Sequence, residues 1–242
     1  MTSDFIVYQT DASFPGWAEM PAMIENFIKL NNIKSVFEIG AGANPTLPPD
    51  RIKALNISYT INDIDLKELE KADIIYERDV TDLCKESINI QSRYGLVFSR
   101  MAGEHFYNAR NLHKNVLKIL APGGYALHCF STLYALPFLV NKLVPESVSQ
   151  KLLSFFNPRD LYQHDKFEAY YDMSYGPSKK MVNFFISTGY DIVNYTGYFG
   201  HGYYKKIPVL RTLEKLKANW LVKHPIPELT SYSMIVLRKK SQ

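Results

Sequence analysis

Apolar and polar residues alternate along the chain with two periods. Between Trp17 and Ile33, the residues Met20, Met23, Ile24, Phe27, Ile28 and Leu30 fall at helical spacing and predict a helix that covers one face of a sheet. Ser35 to Ile39 is short, rich in strand formers and followed at once by Gly40-Ala41-Gly42, the pattern of a buried parallel strand entering a tight turn. Ile57 to Ile61 predicts a second strand and Asp65 to Lys71 a helix, with Ile74 to Tyr76 a short apolar run beyond it. Tyr94 to Ser99 reads as strand and His113 to Leu120 as amphipathic helix, stopped by Pro122-Gly123-Gly124; Tyr125 to Phe130 resumes as strand. Lys179 to Ser187 predicts a helix with Met181, Phe184 and Phe185 inward, Tyr190 to Tyr195 a strand, residues 211 to 222 a helix carrying Leu213, Leu216 and Trp220, and Ser233 to Leu237 a last strand.

Strands separated by helices are the pattern of an open, mostly parallel sheet covered on both faces, here within one α/β domain spanning 1–242. The rhythm breaks between 131 and 177. Helix-like stretches around Leu136 to Leu143 and Ser147 to Phe156 lead into a polar, aromatic passage, and the region predicts a cap beside the binding crevice.

Composition narrows the class. At 46% hydrophobic and 21% charged, the 242 residues are too apolar for a disordered chain. The 28 Lys and Arg against 24 Asp and Glu give a formal +4, too small an excess to imply nucleic acid, and no DNA partner is expected. Cys84 and Cys129 stand in no Cys-x-x-Cys spacing, and no histidine has ligand company at metal-binding spacing, so no metal is predicted. The N-terminus lacks a secretory pattern, and the most apolar stretch, Leu133 to Val144, is too short to cross a bilayer. A cytoplasmic location is the expectation.

The informative stretch is Glu38-Ile39-Gly40-Ala41-Gly42-Ala43-Asn44-Pro45. Glycines directly after a strand let the backbone turn sharply and approach a ligand, in the place where open sheets bind them; they also serve in a plain turn. Asp63 lies 21 residues beyond Gly42, at the end of the second strand, where a carboxylate accepts both hydrogen bonds of a ribose diol. A dinucleotide fingerprint wants a third glycine where Pro45 stands, and proline has no amide to offer a phosphate. Glu38 would also set a negative charge near a diphosphate. A nucleoside bearing an amino acid suits this pocket better.

Here the sequence resembles the class I S-adenosylmethionine-dependent methyltransferases, in their small-molecule branch. Glu38-Ile39-Gly40-Ala41-Gly42 is similar to their acidic-x-Gly-x-Gly loop, Asp63 to their ribose-binding acid, and Asp79-Val80 to the acidic position near the adenine amino group. Tyr94 through His105 is similar to the fourth strand and its turn, and Leu120 through Gly124 to the turn before the fifth. The resemblance covers about residues 35 to 130. It implies a Rossmann-like sheet of seven strands, with Tyr190 to Tyr195 sixth and Ser233 to Leu237 seventh and antiparallel, and a helical, aromatic cap after the fifth. It implies S-adenosylmethionine, leaving S-adenosylhomocysteine, bound by Glu38, Gly40, Ala41, Gly42, Asn44, Asp63, Ile64, Asp79, Val80, Ser99 and Arg100; Arg100, at a strand end, is a candidate to reach the methionine carboxylate, with a surface or salt-bridge role as the alternative.

A hydroxyl acceptor must lose a proton, and imidazole is suited to take it; an amine attacks directly. His105, His128 and His201 are the candidate bases, each with a structural role as the alternative. Tyr162, Tyr170, Tyr171, Tyr203 and Tyr204 are candidates to line the acceptor pocket, or to fill an ordinary lid. Arg159, Lys205 and Lys206 are candidates to meet an anionic substrate. Ser99-Arg100-Met101-Ala102 lacks the Pro-Pro-aromatic clamp of adenine methylation. The expected activity is methyl transfer to a hydroxyl or amine of a small molecule. Lipid, quinone, RNA or protein acceptors are the nearer alternatives, with residues 133–144 a candidate peripheral membrane contact. A noncatalytic or NAD-binding Rossmann protein is the more distant one.

Overall fold

In the computed structural model, which describes residues 4–90, 93–133, 168–204 and 206–240, the side chains of β2 (Ser35–Ile39) divide between two apolar cores. Val36 enters the core on one face of the sheet, Phe37 and Ile39 the core on the other. A strand buried on both faces reads as a continuous apolar run, which is why this segment was legible in the sequence. The first core is closed by α1 (Met20–Leu30) through Met20, Ile24 and Ile28, by α2 (Pro49–Leu55) through Ile52, and by α3 (Leu66–Glu70) through Leu69. The second is closed by α4 (Ala109–Ile119) through Leu112, Val116 and Ile119, and by α5 (Lys179–Thr188) through Met181, Phe184 and Phe185.

The sheet runs in the order β4 (Glu77–Asp79), β3 (Ser58–Asn62), β2, β5 (Tyr94–Arg100), β6 (Leu120–Ser131), β8 (Tyr232–Lys239), β7 (Tyr190–Phe199) and β1 (Ile6–Thr10). All pairs are parallel except those of β8, which runs antiparallel to β6 and β7. The seven implied strands are present with the last one antiparallel. An eighth, β1, pairs parallel with β7 at the edge, Ile6 opposite Tyr195. The run Phe5-Ile6-Val7-Tyr8 at its start is apolar and strand-forming but was not read as a strand, and at the sheet edge it is only partly buried.

Other boundaries moved for local reasons. The helix expected over Trp17 to Ile33 spans only Met20–Leu30 and ends where Asn32 takes a positive φ of 51°. α4 starts four residues before His113, because the Asn108 side chain accepts the Asn111 amide as an N-cap. Pro122-Gly123-Gly124 is not a break: the helix stops at Ile119, and the three residues lie within β6, Gly123 at a φ of +71°. α6 (Pro208–Lys223) forms as expected, yet it buries Glu214, Ala218 and Leu221 and leaves Leu213, Leu216 and Trp220 exposed. The helices expected around 136–143 and 147–156, most of the 131–177 cap, the 134–144 part of the candidate membrane contact, and Tyr162, Arg159 and Lys205 lie outside the described residues.

Candidate functional site

The chain leaves β2 toward β3 and β4 on one side and returns to β5 on the other, so the strand order reverses at the β2–β5 pair. Crevices for ligands of open sheets form at such switch points, beyond the carboxyl ends of the strands. Here the two loops that bound the crevice touch. Gly40 has φ +68°, and a Cβ built on it would stand 3.0 Å from the Ala102 Cβ of the turn after β5. Arg100, at the end of β5, donates to the Asn44 carbonyl at 3.1 Å and ties that turn to the glycine loop. Within the loop, the Ala41 amide goes to Asn62 at 3.0 Å and the Asn44 amide to Ala41 at 3.1 Å.

Glu38 holds this loop from beneath. Its carboxylate is buried and accepts from the Thr46 amide at 2.9 Å, from the Thr46 hydroxyl, and from the Tyr59 hydroxyl at 2.7 Å. Burial pushes its carboxyl above the ordinary range, opposed by these hydrogen bonds and by the Arg100 charge. The side chain expected to touch the cofactor is thus engaged in bracing residues 40–46. Thr46 and Tyr59, which complete the brace, have no signal in the sequence: a threonine after a proline and a tyrosine on a strand are ordinary.

Asp63 follows the end of β3, with its carboxylate beside the glycine turn. Its Oδ2 lies 3.4 Å from the position of a Cβ on Gly42, itself at φ +50°, while Oδ1 accepts the Asp65 amide at 3.0 Å. Burial, with Asp65 and Glu68 adding like charge, raises its pKa. Asn62 stands opposite Asp79 in the β3–β4 ladder, so Ile64 and Val80 project beyond adjacent strand ends, 71% and 51% exposed. Two apolar side chains left in solvent beside the crevice fit one wall for a flat ring. The Asp79 carboxylate is taken up in a strand-end clasp, accepting from Asn62 Nδ2 and the Thr81 amide, both at 2.9 Å.

The three histidines do not converge. His105 lies in a short 3-10 turn, Gly103–His105, at the crevice end of β5, and its Nδ1–H donates to the Glu168 carbonyl at 2.9 Å. His128 shares a hydrogen bond at 2.8 Å with the fully buried Ser99, so that serine's side chain faces the interior. The His128 ring stands perpendicular to His113 at 5.2 Å, on the face covered by α4 and α5, and burial pulls its pKa down to about 4. A small cavity of about 20 Å³ beside the two rings, lined also by Asp172 and Ser174, has room for a water. His201 is buried against α6, its Nε2 3.5 Å from Glu214, which also pairs with Lys217 at 2.7 Å; burial lowers the His201 pKa.

Residues 168–174, the described end of the cap region, are stitched to the turn after β5. The amides of Tyr170 and Tyr171 both donate to the Glu104 carbonyl, at 2.8 and 3.0 Å, and the Ser174 hydroxyl donates to Gly103 at 3.1 Å. Glu104 itself is buried and accepts from Ser131 at 2.8 Å, an anchor that sequence reasoning passed over in favour of its neighbour His105. Tyr171 is buried near Glu104 and Tyr203; burial first, then these two, raises its pKa. Tyr170 points outward, its hydroxyl on Glu168 at 2.7 Å, and Tyr204 packs on His201 at 4.7 Å. Of the expected tyrosines that are described, Tyr203 and Tyr204 both pack on His201, at 5.5 and 4.7 Å, and Tyr203 lies near enough to Tyr171 to act on it. Among the described residues, no three His, Cys, Asp or Glu side chains are grouped to hold a metal.

No protein-family model and no curated relative matches the chain. Solved structures do. Phosphoethanolamine N-methyltransferase 2 of Haemonchus contortus, in complex with S-adenosyl-L-methionine, superposes with a TM-score of 0.56 at 16% identity, over 93% of this chain. The chain spans only about half of that protein, 53%. S-adenosylmethionine-dependent methyltransferases of Clostridium acetobutylicum (TM-score 0.54, 12% identity, 95% of this chain and 93% of that one) and Mesorhizobium loti (0.53, 16%, 93% and 99%) align over nearly the full length of both partners. With the strand order above, these likenesses establish that the chain has the fold of the S-adenosylmethionine-dependent methyltransferases.

Proposed function

We propose that the protein transfers a methyl group from S-adenosylmethionine to a hydroxyl or amine of a small-molecule acceptor. The observation that carries this reading is the cradle at the β2–β5 switch point. Two left-handed glycines form a turn that Glu38 braces, and the Asp63 carboxylate faces that turn. A side chain at Gly40 would press on Ala102, so the loop is built for close approach to its backbone. Solved proteins of this fold are described with S-adenosylmethionine, which supports the same cofactor here. When bound, it supplies an electrophilic methyl on a sulfonium.

The chain's residues then have these roles. Asp63 accepts from the ribose hydroxyls. Ile64 and Val80 flank the adenine, with Asp79 holding the two strand ends in register. Arg100 fixes the glycine loop against the β5 turn and sets a positive charge near the amino-acid end of the cofactor. Glu38 positions the glycine loop from the interior.

For a hydroxyl acceptor, His105 is the base the geometry favours. Its Nδ1 proton is committed to a carbonyl, so Nε2 is the nitrogen with a lone pair to receive a proton. His128 and His201 are buried, and burial disfavours the charged form each would have to take. Tyr171 and Tyr203 form the inner wall toward the acceptor.

The test is turnover against a panel of small alcohols and amines, read as S-adenosylhomocysteine released. His105→Gln is expected to lower kcat on a hydroxyl acceptor at least tenfold with the cofactor KM unchanged, and to leave an amine acceptor nearly unaffected. Equal activity of His105→Gln on hydroxyl acceptors removes His105 from the mechanism; no turnover of any acceptor contradicts the small-molecule reading.

A further inference from the structure

α6 carries two apolar faces, and only one of them is used by the fold. Ala218 and Leu221 are buried, packing with Phe199 beside Tyr8, at the β1 and β7 edge. On the opposite side, Val209, Leu213, Leu216 and Trp220 follow one another at spacings of four, three and four residues, which places them in a single stripe about 16 Å long. Their exposures are 69%, 56%, 61% and 54%, so the stripe as a whole faces outward. Scattered exposed apolar residues are ordinary; four aligned on one helix, continued by exposed Ile226 and Leu229 just beyond it, are not.

Charge around the stripe is one-sided. Residues 205–223 hold six cationic side chains (Lys205, Lys206, Arg211, Lys215, Lys217 and Lys223) against Glu214 as the one carboxylate, so this stretch alone exceeds the formal +4 of the entire chain. Glu214 is buried and turned inward toward His201 and Lys217, which leaves the outer surface of α6 without an acidic group. Arg211, Lys215 and Lys223 are exposed along its length. Trp220 stacks on His224 at 4.8 Å at the helix end, an amphipathic ring of the kind enriched at membrane interfaces.

We propose that the outer face of α6 docks on an anionic lipid bilayer, the apolar stripe lying in the headgroup–acyl boundary and the cations meeting lipid phosphates and carboxylates. An amphipathic helix with an apolar stripe and a cationic polar face binds in the plane of the interface, by apolar burial together with attraction to anionic lipid. Neither element suffices alone: an uncharged stripe equally fits a second protein surface, and cations alone equally fit a soluble polyanion. No helix among the described residues is long and apolar enough to cross a membrane. The proposal is independent of the methyl-transfer reading.

The test is co-sedimentation of the full chain with phosphatidylcholine vesicles containing or lacking 30 mol% phosphatidylserine, at low and high salt. Binding is expected only with phosphatidylserine, weakened by salt, and reduced at least tenfold by Leu213→Glu or Leu216→Glu and severalfold by Lys215→Glu with Lys223→Glu. These positions are exposed, and unchanged thermal melting of each variant confirms folding. In a Trp17→Phe background, Trp220 fluorescence is expected to shift to the blue on adding the anionic vesicles. Absence of binding, or binding insensitive to all these substitutions, overturns the proposal. So does a stable dimer by light scattering that Leu216→Glu dissociates, or a Trp220 already shielded from acrylamide without lipid, since either shows the stripe covered by protein.

Discussion

The hydroxyl of Tyr59 on β3 donates to the carboxylate of Glu38 on β2 at 2.7 Å, directly beneath the glycine turn. Thr46 closes the other side of the same carboxylate with its amide and hydroxyl. Removing the phenol strips a buried carboxylate of one donor, at a cost of about 1.5–3 kcal/mol. Tyr59→Phe is therefore expected to lower stability by that amount in urea denaturation, and to weaken S-adenosylhomocysteine binding by loosening residues 40–46. Unchanged stability and affinity would show that Thr46 alone holds Glu38.

Asp63 sets ligand binding against stability. Its pKa is raised on folding, chiefly by burial, so the unfolded chain ionises it more readily. Ionisation therefore costs the fold: the penalty is absent below the unfolded pKa and grows as pH rises through the folded one. Asp63→Asn is expected to melt no lower than the parent at pH 7 while losing tenfold or more in affinity for S-adenosylhomocysteine. A large drop in melting temperature would instead make Asp63 a structural residue.

Stability should also depend on pH through the buried imidazoles. His128 titrates near 4 in the fold against an ordinary 6.5, with His113 beside it lowered as well. A depressed imidazole contributes stability that is full above the unfolded pKa and lost as pH falls from about 6.5 toward 4. For His128 this is roughly 3 kcal/mol. Urea midpoints measured between pH 7.5 and 4 are expected to fall steeply over that window, and the slope should flatten in His128→Gln. A flat profile in the parent would mean that these rings reach water.

Gly40 gives a test of the cradle itself. At φ +68° an alanine carries about 1–2 kcal/mol of backbone strain, and its Cβ would stand 3.0 Å from that of Ala102. Gly40→Ala is expected to melt a few degrees lower and to lose most cofactor affinity, because its methyl group occupies the space between the two crevice loops. Retained affinity would place the ligand elsewhere.

Much of the fold was legible because central parallel strands are buried on both faces. Val36-Phe37 and Leu96-Val97-Phe98 read plainly as strand cores, and Gly40 and Gly42 mark the turn because glycine takes a positive φ at the least steric cost. β1 was legible too, in the run Phe5-Ile6-Val7-Tyr8, but was passed over because it lies outside the strand-turn-helix rhythm that follows. α6 was found by its spacing but its orientation was not: Leu213, Leu216 and Trp220 look like a core stripe, and only the packed structure shows Ala218 and Leu221 taking that place. The placement of Asp63 beside the glycine turn was readable from its position at a strand end. The inward turn of Glu38 was not, because its partners Thr46 and Tyr59 are brought to it by tertiary packing. The histidines illustrate the same limit: a titratable residue type names a candidate, while burial, at Ser99 for His128 and at Glu214 for His201, decides its protonation.

The central claim is most directly tested by calorimetric titration of the purified protein with S-adenosylhomocysteine, which keeps the adenine, ribose and amino-acid groups of the cofactor, with NAD as the parallel ligand. The account predicts saturable one-to-one binding of S-adenosylhomocysteine, weakened at least tenfold by Asp63→Ala, and no binding of NAD. Binding of NAD, or the absence of any S-adenosylhomocysteine binding by folded protein, would contradict it.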